Sequence, residues 1–160
     1  MKRFLPIFLL APAVVAAQSD FDKSLTDIDN AGRSLVSAKC PKPLAKSEEQ
    51  VKNRHVDDLT DEIRSVECTG YSLKYYVANA TVPPRELPMR LTLTRPHKKL
   101  PAALNVGVVA SQVRARLGPP ESDKDGKITY IGVSEAGSDT ITFVTKGDKI
   151  TEILWVWDVD

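Results

Sequence analysis

From Glu67 onward the apolar residues of this chain stop recurring at helical spacing and begin to alternate. That change of period constrains the fold more than any other feature, because alternating segments bury one face only by pairing into a sheet. Tyr71, Leu73, Tyr75 and Val77 alternate with Ser72, Lys74, Tyr76 and Ala78, a strand beginning near Glu67. Leu87, Met89, Leu91 and Leu93 alternate with Pro88, Arg90, Thr92 and Thr94, a second strand whose early proline suits an edge position. Residues 79–86 connect them, and strands so close in sequence pair antiparallel. Three more strands are expected at 127–133, 139–146 and 149–158, with turns at Gly137 and at Lys146-Gly147-Asp148-Lys149. Ile153, Trp155 and Trp157 face one way on the last strand, Leu154 and Val156 the other, which suggests a central, covered strand.

Ahead of the strands the spacing is helical. Phe21, Leu25, Ile28 and Leu35 predict a helix over 19–37, stopped by Cys40-Pro41-Lys42-Pro43. Ser47 with Gln50 reads as a capping box opening a second helix. Val51, His55, Leu59 and Ile63 form its stripe, with Asn53 and Asp57-Asp58 dividing it into two pieces. Residues 96–108 are irregular. A short helix then carries Val109, Val113 and Leu117 before the stop Gly118-Pro119-Pro120. The expected fold class is α+β: N-terminal helices packed on an antiparallel sheet of about five strands, with one disulfide, as a single domain over 18–160.

Lys2 and Arg3, the apolar run Phe4 to Val15 and the small residues Ala16-Ala17 have the layout of an export signal cleaved after Ala17. The run is short and broken by Pro6 and Pro12, whereas a membrane-spanning helix needs about 20 apolar residues. No later stretch is apolar enough to span, so a soluble periplasmic protein without an integral membrane segment is expected. Cys40 and Cys68 are the only cysteines, and in an exported chain they read as a disulfide. It would close a loop of about 29 residues and contribute about 3–4 kcal/mol. Losing Lys2 and Arg3 with the signal takes the formal charge of +1 to about −1, which argues against nucleic-acid binding.

Chemistry-bearing motifs are absent from the sequence: it has no G-x-S-x-G, no H-E-x-x-H, no Walker loop and no G-x-G-x-x-G. His55, on the helical stripe, reads as a packed core histidine, and His97 as a solvated loop residue. Asp57, Asp58, Asp61 and Glu62 lack the glycine and oxygen spacing of a calcium loop and read as a solvated helix face. Asn79-Ala80-Thr81 is a formal glycosylation sequon. No enzyme activity, cofactor or metal is expected.

Charge is uneven along the chain. Residues 57–67 carry five carboxylates against Arg64, whereas 85–99 carry Arg85, Arg90, Arg95, Lys98 and Lys99 against Glu86. Either the two segments lie together and neutralise, or the basic one steers an acidic partner. Tyr75 and Tyr76 face opposite sides of a strand, so one is free to be exposed, and tyrosine and arginine often carry interface energy. Tyr76, Arg85, Arg90 and Arg95 are therefore the candidate partner-binding residues.

From Gly107 the order is Gly-Val-Val-Ala-Ser-Gln-Val-Arg-Ala-Arg-Leu-Gly-Pro-Pro, then Gly126-Lys127-Ile128-Thr129-Tyr130, Thr140-Ile141-Thr142-Phe143, Gly147, and Ile150 to Trp157. Over 107–157 this resembles the BamE/SmpA type of small envelope domain. That resemblance implies a helix plus three strands in the C-terminal part and a protein-binding role. It carries over no functional residues, and the lipidation cysteine of that family has no counterpart here. The expected function is a periplasmic immunity or inhibitor protein. It would neutralise a secreted antibacterial toxin, such as a type VI secretion lipase effector, by steric occlusion. The alternative is a non-catalytic envelope-assembly protein of the BamE type.

Overall fold

The computed structural model describes residues 13–132 and 139–159. Most of the expected export signal and the turn at Gly137 lie outside the described residues. Helix α1 spans Ala13–Ser37. Four strands follow: β1 Ala45–Lys52, β2 Thr60–Cys68, β3 Tyr71–Ala78 and β4 Arg85–Leu93. After a 3-10 turn at Ala102–Leu104 and α2 at Ala110–Leu117 come β5 Ser122–Lys124, β6 Lys127–Ile131, β7 Thr140–Lys146 and β8 Lys149–Val156.

The strands form one eight-stranded sheet in the order β1-β2-β3-β4-β8-β7-β6-β5, and every pairing is antiparallel. Two meanders of four strands are thus joined through β4 and β8, with Leu91 opposite Trp155. This overturns the expectation of N-terminal helices on about five strands: the described residues form two α-helices and eight strands. The second helix is instead the β1–β2 hairpin. Its stripe misled because β1 is an edge strand with seven of its eight residues exposed, so it shows no alternation. Ser47, Glu48, Glu49 and Lys52 on it are the polar and charged residues that keep an open edge from pairing with another chain. β5, only three residues long, has no counterpart among the expected strands.

α1 and α2 lie on one face of the sheet. Ile28, Leu35 and Val36 of α1 and Val113 and Leu117 of α2 meet Leu91, Leu93, Ile141, Phe143, Ile153 and Trp155 in one buried cluster. Burying each such side chain contributes about 1.5–3 kcal/mol. α1 lies close against the sheet at Gly32, where a Cβ would stand 2.6 Å from Trp155 Nε1. Polar contacts fix the helix at its far side. Arg33 bridges Asp29 at 2.8 Å and Asp139 at 2.7 Å, its guanidinium lies 5.6 Å from the Trp157 ring centre, and Trp157 Nε1 donates to Asp29 at 3.3 Å. Cys40 and Cys68 form a disulfide that ties the segment after α1 to the end of β2. Among the described residues no helix is long and apolar enough to cross a membrane.

Candidate functional site

The helices cover one face of the sheet, reaching Leu73 and Tyr75 of β3 and Leu91 and Leu93 of β4, and leave the other face of β1 to β4 open. The two faces differ in how their charges are disposed, and this difference singles out the candidate site.

On the helix side, Arg64 is the hub of a closed ion-pair network. It contacts Glu48 at 3.2 Å, Glu62 at 3.1 Å and Glu86 at 2.6 Å, and Glu86 also meets Lys39 at 3.2 Å. The lone base of the acidic segment thus pairs with the lone acid of the basic segment. A cleft of about 530 Å³ lies here, but Lys39, Glu62, Arg64 and Glu86 in its lining already pair with carboxylates or bases of this chain.

The opposite face is different. Alternation on β3 buries Leu73, Tyr75 and Val77 and turns Lys74, Tyr76 and Ala78 outward. Arg90 of β4 stands opposite Lys74, and Arg85 opposite Ala78. With the segments' minority charges paired on the other side, Arg85 and Arg90 make no ion pair among the described residues. Two like charges placed cross-strand, as Lys74 and Arg90 are, repel each other until an anion arrives.

Beside them a pocket of about 380 Å³ opens at the end of the sheet. Ile63, Tyr76, Ala78, Leu87 and Met89 form its floor, and Val51, Val56 and Val159 contribute apolar walls. Lys52, His55 and Arg85 stand in the lining, and no carboxylate does, among the described residues.

The wall of this pocket is the β1–β2 loop, and Asn53 builds it. The Asn53 Oδ1 accepts the backbone N–H groups of His55 and Val56, each at 2.7 Å, and its own N–H donates to the Leu59 carbonyl at 2.9 Å. Such a side-chain-to-backbone turn is what asparagine favours. Asp58, at φ 62, completes the reversal. The Asn53 Nδ2 in turn donates to Asp61 Oδ2 at 2.6 Å.

Asp61 is fully buried and anchors the arrangement. Besides Asn53 it accepts the hydroxyl of Tyr76 and, at 2.8 Å, the backbone N–H of Asn79. Burial alone would raise its pKa, but the hydrogen bonds from Tyr76, Asn79 and Asn53 outweigh burial and hold it below the usual carboxylate range. The same bond to Asp61, with burial, raises the Tyr76 phenol. Tyr76 therefore stays a neutral donor, with its ring in the pocket and its hydroxyl spent on Asp61.

The four candidate partner-binding residues do not form one cluster. Tyr76 and Arg85 line the pocket, and Arg90 lies on the same face further along β4. Arg95 lies beyond the opposite end of β4, where its side chain packs over Gly70 in the β2–β3 turn. The histidines are placed otherwise than expected. His55 is exposed in the pocket wall and is no core residue, because the stripe that carried it is a hairpin. His97 is half-buried, edge-on to Tyr71 with ring centres 6.5 Å apart. Burial, then Lys99 and Lys98, lower its pKa. With one histidine at each end of the sheet, they cannot act as an acid–base pair. Comparison with protein-family models, with curated proteins and with solved structures found no match to this chain.

Proposed function

We propose that this chain is an exported inhibitor of the immunity-protein kind. In the periplasm it binds a secreted antibacterial toxin, such as a type VI secretion lipase effector, and blocks it sterically without catalysis of its own. The observation that carries this reading is the open face of β1 to β4, where Arg85 and Arg90 lack internal ion-pair partners beside an apolar pocket. A face of that kind favours an acidic protein surface, gaining encounter rate from the charges and affinity from apolar burial. A sheet backed by helices, with a disulfide holding its edge hairpin, keeps the face preorganised, which lowers the ordering cost of association.

Affinity capture of the tagged, exported chain from its own cells, read by mass spectrometry, tests this. Recovery of one secreted hydrolase in near-equal amount, with loss of its toxicity on binding, is the expected result. Recovery of outer-membrane assembly components in its place would overturn the reading in favour of an envelope-assembly role.

A further inference from the structure

The pocket is more specific than a basic face needs to be. Basic rim residues alone would attract any anion, and a flat face would suffice for that. Here the β1–β2 loop is folded over by Asn53 and held by Asp61 so that it walls off an apolar hollow, and that hollow lies within the size range of ligand-accepting sites.

Building on the inhibitor reading, we infer that this pocket receives one aromatic side chain of the partner, carried on a segment with carboxylates on both sides. Three observations lead there. The pocket holds about 380 Å³, room for an aromatic ring, and rings of that kind are the common anchors of protein interfaces. The floor offers the Met89 thioether and the Tyr76 ring, both of which favour contact with an aromatic partner. Lys52, His55 and Arg85 stand in the lining, while the nearest buried carboxylate, Asp61, has its oxygens engaged by Tyr76, Asn53 and Asn79. An incoming carboxylate therefore meets Lys52 and Arg85 at the pocket, and among the described residues no carboxylate stands in the lining to oppose it.

The test uses the full, disulfide-bonded chain and synthetic probes, followed by amide chemical shifts in NMR titrations. The probes are acetyl-Asp-Glu-Trp-Glu-Asp-amide, the same peptide with serine for tryptophan, the same with lysines for the four acids, and dodecanoate. The expected result is that the first peptide shifts the amides of Ile63, Tyr76, Ala78 and Leu87, and that the serine and lysine versions bind at least about tenfold more weakly. Ala78→Phe, which fills the pocket from the outward face of β3, should abolish those shifts. Arg85→Glu, at an exposed position that cannot disturb the core, should weaken them about fivefold or more. Equal binding of the serine peptide, shifts confined to other surfaces, or dodecanoate binding more tightly than the tryptophan peptide would each overturn the inference. Its failure is separable from that of the inhibitor reading. A captured toxin whose binding ignores Ala78→Phe sinks the pocket inference alone, while pocket binding of the peptide with no toxin captured sinks the inhibitor reading alone.

Discussion

Asp61→Asn is the substitution that reaches furthest into this structure. Asparagine keeps the shape of the side chain but has one acceptor oxygen where aspartate has two. Asp61 accepts from the Tyr76 hydroxyl and from Asn53 on one oxygen and from the Asn79 N–H on the other. If the new carbonyl keeps Tyr76 and Asn53, the new amide group faces the Asn79 N–H, donor against donor. A buried donor left unsatisfied costs about 1–3 kcal/mol, and the bonds that remain lose their charge assistance, so the expected destabilisation is about 2–4 kcal/mol at pH 7. The cost also depends on pH. The folded-state pKa of Asp61 is lowered, so its stabilisation is fully present above the unfolded-state value of about 3.9 and is lost as pH falls through the folded-state value. The gap between wild type and Asp61→Asn should therefore be widest near neutrality and close in acid. Urea unfolding of both proteins at neutral and strongly acidic pH measures it. A neutral-pH cost below about 1 kcal/mol, or a gap that does not shrink in acid, would refute the assignment of Asp61 as an ionised anchor.

Other substitutions test the remaining parts. Changing Cys40 and Cys68 together to serine should cost about 3–4 kcal/mol in urea unfolding, because it frees a loop closed between residues 28 apart in sequence. Gly32→Ala should lower thermal stability by about 1–3 kcal/mol despite alanine's better helix propensity, since its Cβ would overlap the Trp155 indole, and calorimetry reads the change. Arg85→Glu with Arg90→Glu should not destabilise the fold and should leave unfolding within about 1 kcal/mol of wild type, because both side chains are exposed without an ion pair among the described residues and Arg90→Glu removes the repulsion with Lys74.

Legibility in the sequence followed the strength of the burial pattern. β8 could be read because Ile153, Trp155 and Trp157 alternate with Leu154 and Val156, and the strand lies between β4 and β7 with the first set fully buried. β3 was equally plain, with Leu73, Tyr75 and Val77 inside. β1 and β2 were hidden for a physical reason. An edge strand exposed on both faces has no apolar period, and β2 offers only Ile63 and Val66 as apolar side chains before its cysteine. Of these, Ile63 fell by chance at helical spacing with Val51, His55 and Leu59. Asn53 and Asp57-Asp58 were the signal that could have corrected this, since they are turn residues sitting between two strands.

The pocket is not legible in the sequence, because its wall is the loop of a hairpin whose apolar spacing is helical. The charges show the same dependence on context. Composition gave an acidic and a basic segment and offered neutralisation as one outcome. In the fold β3 stands between them, and it is Arg64 and Glu86, the minority charge of each, that meet. Arg85 and Arg90 are left on the other face, and only the register of β3 with β4 reveals that.

The central claim is that the open face of β1 to β4 binds an acidic protein. The most direct measurement is calorimetric affinity of the captured partner for wild type, for the Arg85→Glu and Arg90→Glu double variant, and for Arg116→Glu as a charge control on α2. The expected result is an affinity at least about tenfold weaker for the double variant and unchanged for the control. An affinity within about twofold of wild type for the double variant, or an equal loss for Arg116→Glu, would contradict the claim.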